Sequence, residues 1–328
     1  MQPDLQDLAD QLTLPTTAPI GIALALIAAV LLALGTQFQS RGVNIVESST
    51  QGRKTGLSLG QLRRLLARPS WVIGTVLLGA AIVLQLTSLT QAPLTVVQPL
   101  GAVALVVTAI VNSRVTKVPL DRFTIRAIVI CVLGVAIFVT IAAFVTKRHP
   151  ITATQLSIVL IVLSVVLAVF VVLFIVGRKR KPRPIFYVIA AGVLFGFVVT
   201  LANVVIGRIQ TIAFTDFDFD SADILTLLCL VGLAAAALLG TYFVQTAHSS
   251  NPPDLVVAGL TVIDPIVAVS IGIVVLGEAA SAPPWAIVAF ALAAAMAIYG
   301  VISLARHHPQ ALANTAVADV AEGPSPRA

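Results

Sequence analysis

The chain has very little charge: Asp, Glu, Lys and Arg make up only 10% of its 328 residues. Soluble domains carry about 25%, so there is too little polar material here to coat a water-exposed globule. Cysteine is nearly absent too. Cys131 and Cys229 both fall within apolar runs, which excludes a disulfide framework and a zinc-spacing motif. The sequence contains no phosphate-binding Walker loop or HExxH pair, so neither ATP-driven pumping by this chain nor zinc-dependent hydrolysis has support. The chain reads as a non-enzyme with no cofactor. His149, His248, His307 and His308 stand at loops or in the tail without metal-ligand spacing. Residues 1 to 19 hold Asp4, Asp7 and Asp10 but no Lys or Arg, so the first apolar run is expected to be retained rather than cleaved as a signal.

What the chain has in abundance is hydrophobic sequence, 58% of it, with a mean hydropathy of +1.03. A helix needs roughly 20 apolar residues to cross the hydrocarbon core. Nine runs qualify, at 20–40, 71–90, 94–113, 124–146, 155–177, 185–207, 224–247, 255–277 and 284–305. They are continuous rather than alternating, which excludes a β-barrel. The expected fold is an all-α polytopic membrane protein, since lipid leaves backbone groups no partner outside their own segment.

All but three of the 20 Lys and Arg fall on one side of that layout. The loop before span 2 carries Arg53, Lys54, Arg63, Arg64 and Arg68, and the loop before span 6 carries Arg178 to Arg183. Lys147, Arg148 and Arg208 lie opposite, with the acidic run Asp216, Asp218, Asp220 and Asp223. Basic residues mark cytoplasmic loops, so the N-terminus is expected outside and the C-terminus inside a cell membrane. The basic excess is thus a topology signal and an attraction to anionic lipid head groups, not a nucleic-acid footprint. Residues 57–68, with Leu at helical spacing against Arg63, Arg64 and Arg68, are expected to lie in the interface. The tail from residue 306 is polar and expected to be disordered. Expected partners are membrane lipids, a small-molecule or ion substrate, and a second copy of the chain as a homodimer.

The organising feature is a repeat. Ala92 to Val103, APLTVVQPLGAV, returns 166 positions later as Ala258 to Val269, AGLTVIDPIVAV. Thr95/Thr261 and Pro99/Pro265 are in register, and Gln98 is replaced by Asp264. The same offset pairs Gln37 with Asn203. Spans 1–4 (20–146) then match spans 6–9 (184–305), with span 5 and a polybasic loop (147–183) between them. Five intervening steps invert the second copy, giving a 4+1+4 arrangement of inverted repeats, the layout by which one carrier opens to either side of a central site.

A proline inside a helix removes one N–H and frees the carbonyl four residues earlier, here those of Thr95 and Thr261. Each copy therefore offers a loose carbonyl, a hydroxyl, and Gln98 or Asp264 on one helical face. Asp264 is the one acidic residue deep in a span. An ionised carboxylate there costs about 2.5–3.5 kcal/mol, so it should face a cavity, find a partner or carry a proton. Thr95, Thr261, Gln98, Asp264, Gln37 and Asn203 are the expected substrate-binding residues, with Pro99 and Pro265 as helix breaks and Asp264 as the metal ligand if a cation is carried. Glu278 is expected at the outer rim.

LTSLTQAPLTVVQPL and GLTVIDPIVAVSIGIVVLGE resemble the first-half and second-half signatures of the drug/metabolite transporter (EamA-like) superfamily. Within it, the nine-span layout and the PSWVIG…APLTVVQPLGA run resemble the NIPA-type magnesium transporter branch and its bacterial relatives. The resemblance implies a helical bundle of two inverted repeats around a central pathway. The amides, hydroxyls and freed carbonyls point first to a permease for a small polar metabolite, drug or lipid-linked precursor. A magnesium or other divalent cation is the alternative, and a non-transporting membrane scaffold is the second.

Overall fold

The computed structural model describes residues 18–48, 65–116, 119–147, 151–177, 185–214, 221–250 and 253–307. The expected interfacial segment up to Gln61–Arg64, the polybasic stretch 178–184, the acidic run to Asp220 and the tail from 308 lie outside the described residues. The described residues are helical, without strands, and form ten helices. These are α1 (Ala18–Ser48), α2 (Pro69–Gln91), α3 (Leu94–Leu100), α4 (Ala102–Thr116), α5 (Arg122–Val145), α6 (Ala153–Gly177), α7 (Ile185–Phe214), α8 (Ser221–Ser250), α9 (Pro253–Val274) and α10 (Pro284–His307).

Eight segments are long and apolar enough to cross a membrane: Ala18–Gly42, Pro69–Gln91, Leu94–Val115, Arg122–Val145, Ala153–Leu173, Ile185–Ile209, Ile224–Ala247 and Pro284–Leu304. The apolar stretch Gly259–Val274 lies within the ninth, the 22-residue α9. All nine expected spans therefore fall on helices of the structure. α9 ends where the chain turns after Val274. Leu276 N–H donates to Ile271 O at 3.0 Å and Glu278 N–H to Gly272 O at 3.0 Å, around Gly277 at φ 69°. Glycine adopts that left-handed turn without the steric penalty of a Cβ.

The third span is broken where the eighth is not. Gly101 separates α3 from α4, and its N–H bonds back only three residues, to Gln98 O at 3.1 Å. Pro99 has already removed one ladder bond, and Gly101 adds a poor helix former two residues on. In the second copy Val267 occupies Gly101's place, and α9 runs through Pro265 unbroken.

The helices pack in matched pairs. α1 packs on α2 as α7 packs on α8, α1 on α3 and α4 as α7 on α9, and α3 and α4 on α5 as α9 on α10. The remaining major pairings join α3 to α9 and α5 to α10. Tight crossings set the registers. A Cβ on Gly42 would meet Trp71 Cβ at 2.6 Å and one on Gly21 would meet Ala92 Cβ at 2.6 Å, so α1 and α2 are antiparallel. Gly134 approaches Ala297 N and Gly300 approaches Cys131 N, each to 2.5 Å from the glycine's ideal Cβ. Small residues at such crossings let membrane helices approach backbone to backbone. α6, the fifth span, packs on α8 and α7 and presents Ile161, Val165, Val169 and Val172 outward, as a lipid-facing connector should.

Candidate transport pathway

The α3/α9 pair brings the two repeat segments together, and Pro99 and Pro265 line one cavity of about 240 Å³. Its other walls come from α5 and α10, where the Phe138 and Phe290 rings meet tilted by 36° with centroids 4.9 Å apart. The shared space is apolar rather than wet. Thr261 and Ser270 reach it, but their hydroxyls donate to Val257 O at 2.8 Å and Ile266 O at 2.6 Å, carbonyls of their own helix. Asp264 and Gln98 are absent from the lining. The expectation that Thr261 and Asp264 share one helical face is therefore corrected: Thr261 turns to the cavity with Pro265, while Asp264 is off that wall, beside another neighbour.

That neighbour is α7. A Cβ on Gly192 would meet Ile263 Cβ at 2.7 Å, and one on Gly196 would meet Val267 Cβ at 2.7 Å and Asp264 O at 3.0 Å. Both numbers climb together, so α7 and α9 run parallel with a shared register. Asn203 lies seven residues beyond Gly196, on the same face of α7 two turns on, and is 4% exposed. Among the described residues, Asp264 Oδ1 and Asn203 Oδ1 are buried without a hydrogen-bond partner. Buried polar atoms are nearly always satisfied in native structures, and each exception calls for a reason such as an ion or water.

Gln98 stands on α3, which also packs on α9. It is 6% exposed, and no hydrogen bond joins its amide to another described residue. α3 runs antiparallel to α9, with Thr95 Oγ1 3.1 Å from the place of a Cβ on Gly272. That register sets Gln98 level with Val269, and the α7 register sets Asn203 level with Val274. At 1.5 Å per residue, Asp264, Gln98 and Asn203 thus occupy successive levels about 7 Å apart along α9. Gln37 is half-buried on α1.

Thr95 does something the sequence reading missed. Glu278, expected at the rim, is 3% exposed and reaches back across the end of the bundle. Its Oε1 accepts from Leu94 N–H at 2.7 Å, and its Oε2 accepts from Thr95 N–H at 2.8 Å and Thr95 Oγ1–H at 2.5 Å. The carboxylate caps the first turn of α3, whose N–H groups have no helical partner. Lys147 N–H donates to Glu278 O at 2.8 Å, and Gln155 Nε2 donates to Leu276 O at 3.0 Å, fixing the turn from the far side. Thr95 is thereby spent on Glu278, which corrects its assignment to a solute. The LGE at 276–278 was visible in the sequence, but its reach to a residue 183 positions away was not.

Among the described residues there is no group of three or more His, Cys, Asp or Glu able to hold a bare metal ion. The buried polar groups are instead one carboxylate and two amides at separate levels along α9. These features define a polytopic α-helical membrane transporter. The family model of the magnesium transporter NIPA matches residues 16–305, and the chain belongs to that family. It is also 25% identical, over 246 residues, to an uncharacterized protein of Corynebacterium glutamicum, covering 75% of this chain and 82% of the relative. No solved structure matches.

Proposed function

We propose that the protein carries a hydrated divalent cation, magnesium in the first place, along the α7/α9 seam. The observation that carries the reading is the pair of partnerless buried oxygens, Asp264 Oδ1 and Asn203 Oδ1. They stand on one seam at levels too far apart to hold a single bare ion, whose ligand oxygens sit about 2 Å away. Magnesium dehydrates reluctantly and is commonly held by one or two carboxylates while keeping several waters. One carboxylate and two amides in succession suit an ion that moves with its water shell. The matched helix pairing supports two inverted repeats, spans 1–4 and spans 6–9 about the connector α6, working by alternating access in the cell membrane with the N-terminus outside.

A polar organic solute is the second reading, because Gln98 stands where the other repeat has its carboxylate and an amide recognises uncharged polar groups equally well. Flux into proteoliposomes decides between them. Magnesium uptake that falls at least tenfold in Asp264→Asn and several-fold in Asn203→Ala supports the cation. Uptake that is unchanged in Asp264→Asn, at any pH between 6 and 8 (about one unit either side of neutrality), removes the residue from the mechanism. A chain that moves neither cations nor polar solutes down any imposed gradient is a scaffold.

A further inference from the structure

We infer that Glu278 is the gate residue at the end of the bundle bearing the α2–α3 hairpin, and that its clasp on Leu94 and Thr95 must open and close in each transport cycle. The inference rests on the proposed pathway but not on which substrate uses it. Four observations carry it.

The clasp joins the two halves of the molecule. Leu94 and Thr95 begin the third span, and Glu278 follows the eighth. The three hydrogen bonds to Leu94 and Thr95 are all made by the Glu278 carboxylate, so one side-chain rotation releases those three together. It lies among the buried polar levels along α9: Glu278 Oε2 comes within 3.0 Å of the place of a Cβ on Gly272, between the levels of Gln98 at Val269 and Asn203 at Val274. Finally, the arrangement is one-sided. The 166-residue offset maps Leu94, Thr95 and Glu278 onto Leu260, Thr261 and Asn112. Thr261 donates its hydroxyl to Val257 O of its own helix, and α9 runs on where α3 begins. A purely architectural cap would be expected in both copies of a repeat. A gate is closed at one end while the other end differs.

Glu278 thus holds the hairpin end shut through charge-assisted hydrogen bonds, which are the stronger kind. Its release would expose Thr95 Oγ1 and two N–H groups beside the ladder.

The test uses the full-length protein in lipid nanodiscs with Cys131→Ala and Cys229→Ala. Spin labels at Gln91→Cys, beside the hairpin, and Ser281→Cys, beyond the clasp, report the separation of the two sides. The parent should show a dominant short distance. Glu278→Gln and Glu278→Ala should move most of the population to a longer one and slow magnesium flux in proteoliposomes at least tenfold. Thr95→Val, which removes the hydroxyl but keeps both N–H donors, should fold even if the Glu278 variants do not, and should shift a smaller fraction. Distances that stay at the parent value in all folded variants overturn the gate, whether or not flux falls. If the parent moves no magnesium while the Glu278 variants still open, the gate stands and the substrate reading fails.

Discussion

Adding one methyl group at the crossing of α5 and α10 should force the two helices apart. In Gly134→Ala the new Cβ would lie 2.5 Å from Ala297 N and 2.8 Å from Ala297 Cα, and in Gly300→Ala it would lie 2.5 Å from Cys131 N and 2.6 Å from Cys131 Cα. The opposing atoms are backbone, so no rotamer change relieves the contact. Ordinary van der Waals contact begins at 3.4 Å, so the helices must separate by about 1 Å, a gap that forfeits a quarter to a half of each dispersion contact along the seam. Overpacking of this kind costs about 1–3 kcal/mol, and each single variant is expected in that range.

The double variant makes the stricter test. The two glycines sit on opposite helices of one crossing and are 166 residues apart, so one displacement serves both methyl groups. Once the pair has opened for the first, the second should cost far less. Equilibrium unfolding in mixed detergent micelles should therefore give a double variant no more than about 1 kcal/mol below the worse single one, a coupling well outside the 0.3–0.5 kcal/mol scatter of independent sites. Strict additivity, or singles that cost nothing, would refute a rigid close crossing at this place.

Gly277→Ala should cost about 1–2 kcal/mol, because φ 69° is a left-handed conformation that a Cβ disfavours; Gly277→Asn should cost less, and equal losses in thermal unfolding would argue against the turn. Thr95→Val should lose about 1.5–3 kcal/mol of unfolding free energy, the worth of a hydrogen bond to a charged group. Ala294→Leu, which fills part of the cavity between Pro99 and Pro265, should gain about 1–2 kcal/mol at roughly 0.8 kcal/mol per buried CH₂, less some strain. A loss instead would mean that the space is already filled.

The spans were legible because lipid imposes a length and a composition on each one, and those constraints are local. Arg122–Val145 or Ile185–Ile209 can be read without reference to any other residue. The repeat was legible around Pro99 and Pro265 because a Thr and a Pro in register stand out from Ala, Val and Leu. It was not legible at Gly134 and Gly300, nor at Gly74 and Gly240, although these pairs keep the same offset of 166. A glycine in an apolar run is unremarkable until a neighbouring helix is seen close against it.

Side-chain direction was the least legible property. Thr261, Asp264 and Pro265 are neighbours on a helical wheel, and spacing alone put them on one face. Which part of that arc meets α7 and which meets the cavity depends on where the partner helices approach. Gly192 and Gly196 draw α7 against the Ile263–Val267 side of α9, and this leaves the proline side to α5 and α10. The separation of an apolar cavity from a polar seam on opposite sides of one helix follows from those two glycines. The same logic explains why Glu278 was misplaced. Hydropathy ends the span near residue 277 and so puts the next residue in water, but Gly277 turns the chain back over the bundle. A carboxylate that would have faced solvent is thereby delivered to the open N–H groups at the start of a helix, which favour negative charge.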